Sequence, residues 1–151
     1  MGWIAKILNA GQPRRPRALE LFAPSVKVRA ADADTKPRRI EINAYDGSLM
    51  ELEGFDLPVV VDLESATAAP TVKLLRSHDT ERIVGHSDEV KITSGPGGGI
   101  VLTGVISATG PDATEVLDAA ANGFPWEASI GARDFKLQHV PPGETRTVNG
   151  R

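Results

Sequence analysis

The chain has 151 residues, no cysteine, three histidines and a formal net charge of −3. That length suits one domain with a real hydrophobic core. The absence of cysteine excludes a disulfide framework, thiolate metal sites and a cysteine nucleophile, and no run of about 18 apolar residues is present to span a membrane. Apolar residues make up 40%, with 15 Gly and 11 Pro, a balance that favours β structure with many turns.

The stretch Trp3–Leu8 is too short for a signal-peptide core and lacks a cleavage pattern. Residues 1–39 carry nine Lys/Arg and three Asp/Glu, a net +6, whereas residues 40–151 carry eight and seventeen, a net −9. Pro13, Pro16, Pro24 and Pro37 interrupt every candidate helix in the basic segment. Residues 1–39 are therefore expected to form a disordered or extended arm, with Leu19, Leu21, Phe22 and Val26 as a short docking segment. Such an arm suits an acidic partner, but no aromatic residues interleave with its charges as base stacking requires, so no specific nucleic-acid role is expected.

The body, residues 40–151, reads as strands. Ile40, Ile42 and Ala44 alternate with polar residues, Tyr45–Ser48 is a turn, and Leu49–Leu52 is expected to return as a hairpin partner. Pro58–Leu63 is a short apolar run of the kind buried on both faces. Val72–Leu75 forms another strand, followed by Ile83-Val84 and Val90–Ile92. The glycines of Ser94–Gly99 lack the Lys-Ser/Thr of a phosphate loop and are expected to tip a hairpin joining Val90–Thr93 to Ile100–Ser107. One helix is expected after Gly110: Pro111 suits its first turn, Asp112 and Glu115 favour its positive end, and Ala113, Val116, Leu117, Ala120 and Ala121 make its apolar stripe. Gly123 stops it, with Phe124 placed to fold back. Glu127–Leu137 is then expected as a strand in which Ser129 shares a face with Glu127 and Gly131.

The histidines, His78, His86 and His139, have no metal-site spacing, so no metal or cofactor is expected. A serine hydrolase needs a neutral imidazole to take the hydroxyl proton. His78 follows an apolar strand and emerges at its end. Ser129 lies among the small residues Ala128 and Gly131, where a substrate backbone can approach closely. Each alone has an ordinary explanation, a turn histidine and an incidental strand serine.

The stretch Leu75-Arg76-Ser77-His78-Asp79-Thr80-Glu81-Arg82-Ile83-Val84-Gly85 resembles the histidine motif of the prohead (capsid maturation) serine proteases of tailed phages. The later order is also similar: a hairpin, a helix, a Gly-apolar turn, and a serine strand, here Trp126-Glu127-Ala128-Ser129-Ile130-Gly131-Ala132. The resemblance covers roughly residues 55–140. It implies that His78 is the general base and Ser129 the nucleophile, and that the fold is a small assemblin-like β-barrel with few helices. It also implies an acidic third member on a strand after the serine motif. No position before Arg151 matches it, so the C-terminal strands and that residue are expected beyond Arg151; Glu127, Asp134 and His139 are the in-chain candidates. Thr147–Arg151 reads as the start of a hairpin.

The implied function is a serine endopeptidase that cleaves scaffold and capsid precursor proteins, and itself, within the assembling prohead in the bacterial host cytoplasm. A homodimer is implied by analogy with assemblins. The competing expectation is a non-catalytic β-barrel scaffolding or capsid-binding module derived from the same fold, docked by its basic arm.

Overall fold

The computed structural model describes residues 4–8, 19–23, 25–29, 38–52 and 54–151. The chain is mainly β, with one helix among the described residues. The principal sheet is antiparallel and has five strands. Within it β4 (Arg38–Tyr45) buries Ile40, Ile42 and Ala44 on one face, as the alternation predicts. In chain order the sheet's other members are β3 (Ser25–Arg29), β6 (Lys73–Leu75), β7 (Ile83–Thr93) and β8 (Gly99–Ile106), and their spatial order is β3-β4-β8-β7-β6.

The two short segments expected at Ile83-Val84 and Val90–Ile92 are parts of one strand, β7. Its hairpin with β8 closes at Thr93↔Gly99, around the expected glycine tip, where Gly95 and Gly97 have positive φ. Further along this pair a Cβ on Gly85 would lie 2.0 Å from the Val105 carbonyl oxygen, and one on Gly104 would lie 2.3 Å from that of His86. Only glycine permits so close a crossing. A register shift between Ser87 and Glu89 bends β7 at the same place.

Two smaller sheets accompany this one. β1 (Ile4–Leu8) lies between β5 (Val59–Asp62) and β10 (Lys136–Val140), while β2 (Leu19–Ala23) pairs with β9 (Ala128–Ala132). β5 buries Val59 and Val61 completely, but Val60 and Asp62 remain half-buried, so the strand alternates instead of being buried on both faces. Leu49–Leu52 does not form the expected hairpin strand; it contributes a single bridge, Met50↔Val59. β4 is already flanked by β3 and β8, which leaves no edge for it.

Three expectations are corrected. The barrel does not close: among the described residues the strands form three separate sheets, with β3 and β6 as edges of the largest. Closure needs a continuous ladder joining those edges, whereas β5 and β10 are engaged by β1, and β9 by β2. The expected Glu127–Leu137 strand is broken by a turn at Asp134 (φ 56°), which sends β9 and β10 into different sheets. Nor is residue 39 a structural boundary. β1, β2 and β3 lie within the expected arm, and each pairs with strands of the body. The alternation of Val26 and Val28 with Ser25, Lys27 and Arg29 is the period-two signal for β3. The rest of the arm lies outside the described residues.

The helix α1 (Pro111–Ala121) has Pro111 at its first turn and buries Ala113 and Val116. It ends in a Schellman arrangement: Gly123 N–H donates to the Ala120 carbonyl at 3.0 Å and Phe124 N–H to that of Ala119 at 3.0 Å. α1 packs beside β7. Near Arg151, Asn149 (φ 55°) and Gly150 (φ 75°) form a two-residue hairpin turn in which Val148 and Arg151 exchange backbone hydrogen bonds.

Candidate active site

The apolar strand β6 ends at Leu75, and the chain reverses through Arg76-Ser77-His78-Asp79. Ser77 (φ 52°) and His78 (φ 56°) are both left-handed, and Asp79 N–H donates to the Arg76 carbonyl at 3.1 Å. Two successive positive φ values define a type I′ turn, whose usual residues are Asn-Gly. A left-handed non-glycine residue costs roughly 1–2 kcal/mol, so this turn holds strain at Ser77 and His78. The surrounding loop is closed by Arg82 N–H to the Asp79 carbonyl (3.0 Å), Arg76 N–H to the Arg82 carbonyl (2.8 Å), and Glu81 N–H to Asp79 Oδ1 (2.9 Å).

Ser129 is the second residue of β9. Ala132 is buried, and Ala128 and Ile130 pack against the core, so Ser129 and Gly131 belong to the opposite face. The His78 turn reaches this face. His78 Nε2 and Ser129 Oγ are in hydrogen-bond contact, 51 residues apart in sequence. With the imidazole proton on Nδ1, Nε2 accepts from the serine hydroxyl, the tautomer a general base requires. His78 is exposed and Ser129 half-buried, so the pair is reached from solvent.

Both stems of the loop are tied to α1. Arg82 Nε donates to Asp112 Oδ1 at 2.9 Å and its Nη2 contacts the same oxygen. This bond holds the Asp112 carboxyl below its usual range and raises Arg82. Arg76 Nη2 donates to Glu115 Oε1 at 2.8 Å. Asp112 and Glu115 are three residues apart and so share a helix face. On the serine side Trp126 Nε1–H donates to the Val116 carbonyl at 3.2 Å, and the ring packs at 59° to Phe124 with centroids 4.7 Å apart. Phe124 remains 55% exposed and meets Trp126.

The in-chain candidates for a third member lie on or next to β9 and β10. Glu127 is exposed immediately before β9, Asp134 is exposed in the β9–β10 turn, and His139 is exposed on β10. None of them is assigned a part in the site.

A second imidazole–hydroxyl pair escaped the sequence reading. His86 Nδ1 and Ser107 Oγ are 2.8 Å apart, and His86 Nε2 lies 3.9 Å from Asp88 Oδ1. The signal was the hairpin register, His86↔Val105, which sets Ser107 two residues beyond the facing position. Asp88 pairs with Arg39, and at 3.9 Å it is beyond hydrogen-bonding distance of the imidazole. This cluster is a polar strand-end network.

Among the described residues no group of three His, Asp or Glu side chains is placed to hold a metal ion, and no helix is long and apolar enough to cross a membrane. In comparisons with known proteins, no family model, curated protein or solved structure matches the chain.

Proposed function

We propose that the chain is a serine endopeptidase of the prohead-maturation type, with Ser129 as nucleophile and His78 as general base. The observation that carries this reading is the His78 Nε2–Ser129 Oγ contact. It is supported by the order of elements around the pair: apolar strand, His-Asp turn, hairpin, helix and serine strand. In this reading Ser129 Oγ attacks the carbonyl carbon of a peptide bond while His78 Nε2 takes the hydroxyl proton. The same proton passes to the leaving amine as the carbon–nitrogen bond breaks. Water then hydrolyses the acyl-serine, with His78 again accepting and returning a proton. The fold relation carried into this proposal is the shared order of elements and not barrel closure. Its substrates are scaffold and capsid precursor segments, in trans and in the chain itself.

Incubation of the protein and its Ser129→Ala variant with capsid precursor tests the reading. Cleavage is expected for the native chain, and a loss of more than about a thousandfold for the variant and for His78→Ala. Cleavage by both native and Ser129→Ala protein, or by neither, refutes it. Binding of the precursor without cleavage favours the non-catalytic scaffolding module instead.

A further inference from the structure

We propose that Arg76 is a positioning residue that sets the His78 turn against the serine strand by lying between Trp126 and Glu115. The proposal rests on the dyad reading above for its catalytic consequence. Its structural content stands on four contacts of one side chain and its backbone, and on one buried N–H. The Arg76 guanidinium carbon lies 4.5 Å from the centroid of the Trp126 ring, and Nη2 donates to Glu115 Oε1 at 2.8 Å. The Arg76 carbonyl accepts from Asp79 N–H, and its N–H donates to the Arg82 carbonyl. Its Nε is buried and has no hydrogen-bond partner among the described residues.

These contacts join three parts of the site. The Arg76 backbone closes the strained His78 turn from below. Its side chain fixes that turn to α1 through Glu115 and to the lead-in of the serine strand through Trp126, three residues before Ser129. Arg82 ties the other stem to α1 through Asp112, whereas Arg76 reaches both the helix and the serine side. An unsatisfied buried N–H is costly, and Arg76 accepts it while holding its guanidinium over the indole. The arrangement therefore uses the breadth of the guanidinium, which meets Trp126 and Glu115 at once, as well as its charge. Lysine supplies the charge opposite Glu115 but only a compact ammonium, without the broad group that also covers Trp126. Loss of the contact with Trp126 frees a turn that carries two left-handed residues, and displacement of a catalytic group by about 1 Å can cost about a hundredfold in rate.

The test uses Arg76→Lys in the full chain, with two readouts. The first is the imidazole NMR signal of His78, compared with and without Ser129→Ala; the second is the rate at which a fluorophosphonate probe labels Ser129. In the native background Ser129→Ala is expected to shift the His78 Nε2 resonance. In the Arg76→Lys background the same substitution leaves that resonance unmoved, and labelling slows by about tenfold or more at an unchanged thermal midpoint. Trp126→Ala, which removes the ring under the guanidinium, is read in the same way and serves if the lysine variant is poorly folded. A shift that persists in Arg76→Lys, with labelling at the native rate, overturns the proposal. If the shift is present in the native chain and lost in Arg76→Lys but Ser129 is never labelled, the hydrolase reading falls and the positioning role stands.

Discussion

Asn149 offers the sharpest test of how the far side of the molecule is held. Its side chain is buried and fully used: Nδ2 donates to the Val61 carbonyl at 2.8 Å and to the Gly47 carbonyl at 3.1 Å, while Oδ1 accepts from Leu63 N–H at 3.0 Å. One amide thus joins the turn after β4 to the C-terminal end of β5. Its φ of 55° is left-handed, a conformation that glycine adopts freely and alanine does not. Asn149→Gly therefore removes the three bonds and leaves the backbone at ease. Leaving the Leu63 N–H buried and unpaired costs about 1–3 kcal/mol, and the two lost carbonyl bonds about 0.5–1.5 kcal/mol each. The expected destabilisation is about 3–4 kcal/mol, or roughly 6–15 °C in Tm for a domain of this size. Asn149→Ala should lose about 1 kcal/mol more from its left-handed backbone. Asn149→Asp should be worse than glycine, because it turns a carboxylate toward two carbonyl oxygens. Urea unfolding followed by tryptophan fluorescence measures all three. A glycine variant within about 0.5 kcal/mol of the native chain, or an aspartate variant more stable than glycine, refutes the bond count.

The remaining predictions concern the strand beneath the His78 turn and the perturbed side chains Asp112 and Tyr45. Ser87 is fully buried, and its Oγ accepts the Val72 N–H at 2.7 Å, a bond that holds the start of β6 to β7; Ser87→Ala should cost about 1–3 kcal/mol in urea unfolding and slow labelling of Ser129. The Asp112 carboxyl is held below its ordinary 3.8 by Arg82, so its contribution to stability is complete above about pH 5 and lost as pH falls through the lowered value. Asp112→Asn should therefore flatten the acid limb of the stability profile, and an unchanged limb counts against the clamp. Burial pushes Tyr45 up to about 12, so stability should hold to about pH 10 and decline between there and pH 12. Tyr45→Phe removes that decline, and it also leaves the Val61 N–H without the phenol oxygen it meets at 3.1 Å.

Local chemistry made β4, β6, the β7–β8 hairpin and α1 legible, because each carries its own signal: alternation, a glycine tip, or a proline start and a glycine stop. Pairings between distant segments carry no such mark. Nothing in Ile4–Leu8 announces that it will lie parallel to Lys136–Val140, and nothing in Leu19–Ala23 names Ala128–Ala132 as its partner. The His78 turn is a related case. A type I′ turn is recognised by Asn-Gly, and Ser77-His78 forms one without either residue. Asp134 likewise takes a left-handed turn where continuous small and apolar residues suggested one long strand. The His78–Ser129 pair was reached through motif order, and the structure brings those two side chains together. The arginines that anchor the loop escaped notice because charged residues on a sequence read as solvated surface.

The two imidazole–hydroxyl pairs show why one arrangement supports chemistry better than the other. His86 and Ser107 lie near the end of a single hairpin, so their contact follows from strand register alone. His78 and Ser129 belong to different sheets, and their meeting depends on what spans them. α1 lies between β8 and β9 in the chain and packs beside β7. From there it presents Asp112 and Glu115 to both stems of the His78 turn. Strain at Ser77 and His78 persists only where contacts over-determine the backbone, and here three backbone bonds and two ion pairs do so. A turn serving only to connect β6 to β7 has no need of either the strain or its anchors; a turn that must hold one imidazole nitrogen on a serine in another sheet needs both.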